Sequence, residues 1–65
     1  MKKVPKNFNH EEQAIETLAT YQGFDYSTWY IDLLRDNTFY VSLDDEPHGI
    51  FKSLKEAREY IQSKR

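Results

Sequence analysis

A chain of 65 residues makes one domain, and a domain of that size buries only about 60% of the surface its unfolded chain exposes. There is no cysteine, which excludes a disulfide framework and a thiolate zinc site as sources of extra stability, so Trp29, four Phe and five Tyr have to supply buried area instead. The formal charge is only −2, yet it is unevenly spread: Lys2, Lys3 and Lys6 are basic, the stretch 9–50 holds nine carboxylates against Arg35 alone, and Lys52, Lys55, Arg58, Lys64 and Arg65 are basic again.

Residues 1–8 read as a flexible basic arm, and residues 9–65 as a single small α+β domain. No apolar stretch follows the lysines, so neither a signal peptide nor a membrane span is expected. The expected location is the cytoplasm of a prokaryote, or of a cell infected by one of its phages, which is a prior for short single-domain chains and not a deduction from these residues. Asn9 is a favoured N-cap with Glu12 three residues on, and Ala14, Ile15, Leu18, Ala19 and Gln22 recur at helical spacing up to Gly23, which suits a left-handed C-terminal position. This pattern predicts a helix over 10–22, with Phe24 packing back onto Leu18 or Ala19.

The next segment alternates strictly. Trp29, Ile31 and Leu33 point one way and Tyr30, Asp32 and Leu34 the other, and Phe39, Val41 and Leu43 likewise alternate with Tyr40 and Ser42. Opposite residues of an antiparallel pair share a face, so Leu33 should sit across from Phe39, Ile31 from Val41 and Trp29 from Leu43. That register leaves Arg35, Asp36 and Asn37 as a three-residue loop with Asn37 in the left-handed position. Asp44 to Gly49 reads as a polar connection, and whether residues 49–51 form a short third strand stays open. Ser53 with Glu56 has capping-box spacing, and Leu54, Ala57 and Ile61, bordered by Tyr60, form the buried stripe of a helix over 54–63. The expected fold is a two-layer α+β sandwich of order α-β-β-(β)-α, an antiparallel hairpin sheet with both helices on the Trp29 face.

The run Ile50-Phe51-Lys52-Ser53-Leu54-Lys55-Glu56-Ala57 after a hairpin resembles small sheet-plus-helix modules, among them the DNA-binding arm domains of phage-type integrases. The resemblance covers about half the chain and implies a sheet packed on a helix. Those modules use a basic sheet, whereas this one carries Asp32 and no base-reading Arg, so it implies no DNA-contacting residue here.

Catalytic signatures are absent. Ser27, Ser42, Ser53 and Ser63 lack a nucleophile-elbow context, two glycines cannot build a phosphate cradle, and His10 beside Glu11 and Glu12 needs a pocket and an electrophile to act as a base. Asp44, Asp45, Glu46 and His48 lack calcium-loop spacing and read as a solvated turn, so no metal, cofactor or small-molecule substrate is expected. The reading that remains is a non-catalytic protein-binding or regulatory module, in the manner of a phage or mobile-element product, whose partner is another protein or a second copy. Its expected contact surface is the sheet face away from the helices: Tyr30, Asp32, Leu34, Tyr40 and Ser42. The alternative is weak nucleic-acid binding through Lys2, Lys3 and Lys6 of the arm with Lys55, Arg58 and Arg65 of the last helix.

Overall fold

The computed structural model describes residues 3–65. The chain runs from α1 (His10–Gln13) through β1 (Ala14–Gln22), β2 (Thr28–Leu34), β3 (Phe39–Leu43) and β4 (Glu46–Phe51) to α2 (Leu54–Lys64). The four strands form one antiparallel meander in the order β1-β2-β3-β4.

The central hairpin has the register that side-chain parity demands. Leu33 pairs with Phe39, Ile31 with Val41 and Trp29 with Leu43. Leu34 N donates to Thr38 O at 2.9 Å, closing a loop of Arg35, Asp36 and Asn37, and Asn37 adopts φ 65°. Asp36 Oδ1 accepts from Thr38 N at 3.2 Å, holding the turn from inside.

The first element differs from expectation. Only His10–Gln13 is helical, with Glu12 N donating to the Asn9 cap at 3.4 Å, and Ala14 is already extended. Residues 14–22 form a strand instead. Its ladder steps from Ala14–Leu34 to Glu16–Leu33 and again from Thr17–Asp32 to Ala19–Ile31, so Ile15 and Leu18 are the extra residues of two β-bulges. Each bulge resets the phase of a period-two pattern, and two of them within nine residues leave the apolar positions spaced as on a helix. Thr17, Thr20 and Tyr21 are the strand formers that this spacing outweighed. Gly23 is accordingly no left-handed cap. A Cβ there would come within 2.9 Å of Ser27 Oγ and 3.4 Å of Trp29 Nε1, so a larger residue would have to displace the Ser27 hydroxyl.

The polar connection after β3 is shorter than expected. Asp44 and Asp45, at φ 47° and 68°, make a two-residue turn, and the third partner of the hairpin is a six-residue strand, β4, beginning at Glu46. Two left-handed residues match a primed hairpin turn, for which aspartate is a tolerated choice. Pro47 is accommodated because β4 is an edge strand, and His48 is the extra residue of another bulge. A proline and a bulge blunt this edge as two bulges blunt the β1 edge, which opposes strand addition at either side.

Helix α2 begins at Ser53, whose Oγ accepts from Glu56 N at 3.1 Å. It lays Ala57 and Ile61 on Trp29, Ile31, Val41 and Phe51, with Leu54, Tyr60, Phe39 and Leu43 around them. His48 turns toward the helix: its Nδ1 is 2.9 Å from Tyr60 Oη and its ring meets the Trp29 ring edge-on at 4.7 Å. The two helices do not share a face. α2 covers the Trp29 side, while α1 lies by Asp32 and Tyr40 on the other. Among the described residues no helix is long and apolar enough to cross a membrane.

Two stability measurements check this assignment. Asn37→Gly should be neutral or mildly stabilising in urea denaturation, whereas Asn37→Val, forced to φ 65°, should cost about 1 kcal/mol or more. Trp29→Ala or Ile31→Ala should each cost ~2 to 5 kcal/mol and leave the domain largely unfolded.

Candidate functional site

Parity does bring Tyr30, Asp32, Leu34, Tyr40 and Ser42 to one face, but that face is not open. Asp32, Leu34, Tyr40 and Ser42 are buried, and Tyr30 is half-buried. The cover comes from the N-terminal segment. The Phe8 ring stacks on Tyr40 with centroids 5.1 Å apart, and the His10 ring lies against the same tyrosine at 4.9 Å. His10 Nε2 meets Asp32 Oδ2, an ion pair once the imidazole is protonated, and Thr17 Oγ1 donates to Asp32 Oδ1 at 2.7 Å. Arg35 holds the end of α1 through Nε to Glu12 O at 2.7 Å and its own N–H to Gln13 O at 2.9 Å. The physical reason is the carboxylate: a charge in the middle of an otherwise uncharged sheet face calls for donors, and His10 and Thr17 are the donors within reach. A lone Asp32 among strand residues, with Phe8 and His10 two positions apart upstream, was the available signal.

The basic residues of the alternative reading lie apart. Lys3 borders a hollow of about 350 Å³ between the N-terminal segment and Leu34, Thr38 and Ile50 on the outer face, and Lys6 is exposed. Lys2 lies outside the described residues. Lys55 and Arg58 belong to α2, on the opposite face. Arg65 is engaged with β1, its Nε donating to Gln22 O at 3.1 Å and its guanidinium lying 5.7 Å from the Tyr21 ring centroid. Nor do the acidic turn residues gather with His48. Asp44 Oδ1 accepts from Thr28 N at 2.9 Å, while His48 is bonded to Tyr60.

Sequence reasoning missed the β1–β2 hairpin tip. It is a three-residue loop, Phe24-Asp25-Tyr26, closed by Gly23 N donating to Ser27 O at 2.8 Å, with Tyr26 at φ 67°. Asp25 Oδ1 accepts from Ser27 N at 3.3 Å and from Ser27 Oγ. The β2–β3 loop is built identically from Arg35-Asp36-Asn37-Thr38, with the same aspartate-to-hydroxyl clasp and the same left-handed third residue. The pair serves as an internal comparison. The two loops share an aspartate, a left-handed residue and a Ser or Thr, and only the first carries aromatic rings. In the second loop the flanking positions are Arg35 and Asn37, but in the first they are Phe24 and Tyr26, 87% and 85% exposed. A non-glycine left-handed residue costs roughly 1 to 2 kcal/mol, least for asparagine, so tyrosine is a poor choice for the fold. The repeated pattern x-Asp-x-Ser/Thr was legible, but a helix assigned up to Gln22 hid the first copy.

Asp25 and Tyr40 have displaced ionisation. The hydrogen bonds from Ser27 hold the Asp25 carboxyl below the usual carboxylate range, so the tip carries a negative charge at neutral pH. Burial, then the charges of Asp32 and Asp45, push the Tyr40 phenol above its ordinary value.

Comparison of the chain with protein-family models, curated proteins and solved structures finds no match in any of the three.

Tyr26→Asn should raise the unfolding free energy measured in urea by about 0.5 to 1 kcal/mol, since the first loop then matches the second. Tyr40 favours its neutral form when folded, so its contribution is intact below the ordinary phenol range and is lost as pH rises through its elevated pKa. A spectrophotometric titration should show one late phenol that disappears in Tyr40→Phe. If the late step persists in that variant, Tyr40 is not its origin.

Proposed function

We propose that this protein is a non-catalytic binding module that engages a protein partner through the β1–β2 hairpin tip, with Phe24 and Tyr26 as anchors. The observation that carries this reading is the difference between two loops of one architecture. Aromatic rings occupy the exposed positions of the first, at a conformational cost that the second avoids. Strain kept at an exposed position is a pointer to function, and large aromatic side chains are the usual anchors of protein interfaces.

Rigidity supports the same reading. The Asp25–Ser27 clasp, the Gly23 to Ser27 hydrogen bond and the close approach of Gly23 to Trp29 fix the tip before any partner arrives. A preformed loop loses little entropy on binding. The Asp25 charge between the two rings favours a partner pocket with a basic rim. Phe24 also borders a hollow of about 340 Å³ formed with Gln22, Gln62 and Arg65, where a side chain from the partner would fit. The acidic tip and the placement of the basic arm and α2 on opposite faces leave the nucleic-acid reading with less support.

The test is a double change that removes the rings and relieves the backbone. Phe24→Ser with Tyr26→Asn should keep the fold by circular dichroism, be at least as stable as the native chain, and lose partner capture. Ile15→Ser with Leu18→Ser, on the β1 edge, should retain capture. Capture that survives the tip variant would sink the proposal.

A further inference from the structure

The outer face and the segment that covers it form a complete recognition pair within one chain. The face offers Tyr40 as a stacking platform and Asp32 as a carboxylate whose side chain is only 6% exposed, with Thr17 Oγ1 fixing one carboxylate oxygen at 2.7 Å. The segment offers an aromatic ring, Phe8, and an imidazole, His10, two residues apart, with Phe8 positioned by its N–H donating to Pro5 O at 3.1 Å. Ring and imidazole both meet the Tyr40 ring, while the second carboxylate oxygen is left for His10.

We infer that this face also takes the Phe8–His10 segment of a second copy, so that two chains exchange their N-terminal segments and each sheet is covered by its partner's arm. This goes beyond the tip reading and rests on different residues.

Three features of the fold carry the inference. First, the contacts that hold the segment are confined to one face and one strap: Phe8 and His10 on Tyr40 and Asp32, and Arg35 on the carbonyls of Glu12 and Gln13. None depends on which chain supplies the segment. Secondly, the junction is built to re-aim. The backbone passes from helix at Gln13 to strand at Ala14 without a linker, and the next residue, Ile15, has no opposite partner in the ladder. Swinging the segment outward breaks the Ala14–Leu34 pairing, the Arg35 strap and the Phe8 and His10 contacts, and in the exchanged form the strap and those contacts are made again on the second copy. A tight connection of this kind favours exchange. Thirdly, Ile15 and Leu18 are exposed apolar residues beside that junction, 56% and 38% exposed. A closed monomer leaves them in water, and exchange brings a second chain to this junction.

Concentration decides between the two forms. A segment tethered next to its own face has an effective concentration in the millimolar range, so the closed monomer dominates when the protein is dilute and exchange grows as it is concentrated.

The exchange can be tested on the full chain with Phe8→Ser and His10→Ser, which unlatches the segment but leaves the face intact. A fluorescent peptide of residues 3–13 should bind this variant saturably, at least about tenfold more tightly than it binds the native chain, whose own arm competes. The same peptide with both serines should not bind. Sedimentation should show the native chain passing from monomer to dimer toward millimolar concentration and the unlatched variant remaining monomeric. If the double variant does not fold, Phe8→Ser alone, which keeps the His10–Asp32 contact, replaces it with the same expected order of affinities. A folded unlatched variant that ignores the peptide, or a native chain that stays monomeric at millimolar concentration, would overturn the exchange.

Discussion

A buried carboxylate organises this molecule. Asp32 sits in the second strand with its side chain directed away from the main core, and an ionised group removed from water must be met by donors or it destabilises the fold by several kcal/mol. Thr17 supplies one donor, which requires residues 14–22 to be a strand beside β2. His10 supplies the other, which brings the N-terminal segment across the sheet and lays Phe8 on Tyr40. That one carboxylate links β1, the arm and the buried middle of a face that side-chain pattern alone leaves in solvent.

The consequence for stability is a third layer. With no disulfide, and with only α2 on the main core, the sheet would be covered on one side. The arm adds two ring contacts and a polar clasp on the other side, and Leu34 and Tyr40 become part of the buried interior. Both sheet edges are blunted by bulges, and β4 by Pro47 as well. The surface left outside is unevenly distributed: the large apolar residues still exposed among the described ones, Ile15, Leu18, Phe24 and Tyr26, all belong to β1 or to the loop that leaves it. A fold that hides the middle of its sheet so thoroughly directs attention to that end of the molecule.

The two three-residue loops separate what folding needs from what it does not. Each uses aspartate to hold a following Ser or Thr, and each places its third residue in the left-handed region. Asparagine meets that demand at low cost in one loop, and tyrosine meets it at higher cost in the other. Stability alone favours the first solution in both places, and the proposed contact role of the tip rests on that difference.

How much of this was readable in advance depended on whether the deciding interaction was local. The hairpin register came from period-two parity, because a one-residue slip would turn every side chain to the wrong face, and Asn37 in its left-handed position came from loop length. Ser53 and the Ala57–Ile61 stripe located α2 for the same reason: caps and stripes lie within a few residues of each other. Residues 14–22 were different. Their two bulges imitate helical spacing, and only the need of β2 for an edge partner, and of Asp32 for Thr17, makes them a strand. The arm was illegible for a related reason, since Phe8 and His10 take their meaning from Tyr40 and Asp32, more than twenty residues away. The sequence by itself determined the hairpin, its loop and the last helix through contacts between near neighbours; only the tertiary structure, by pairing a distant carboxylate with its donors, decided the first strand and which face of the sheet meets water.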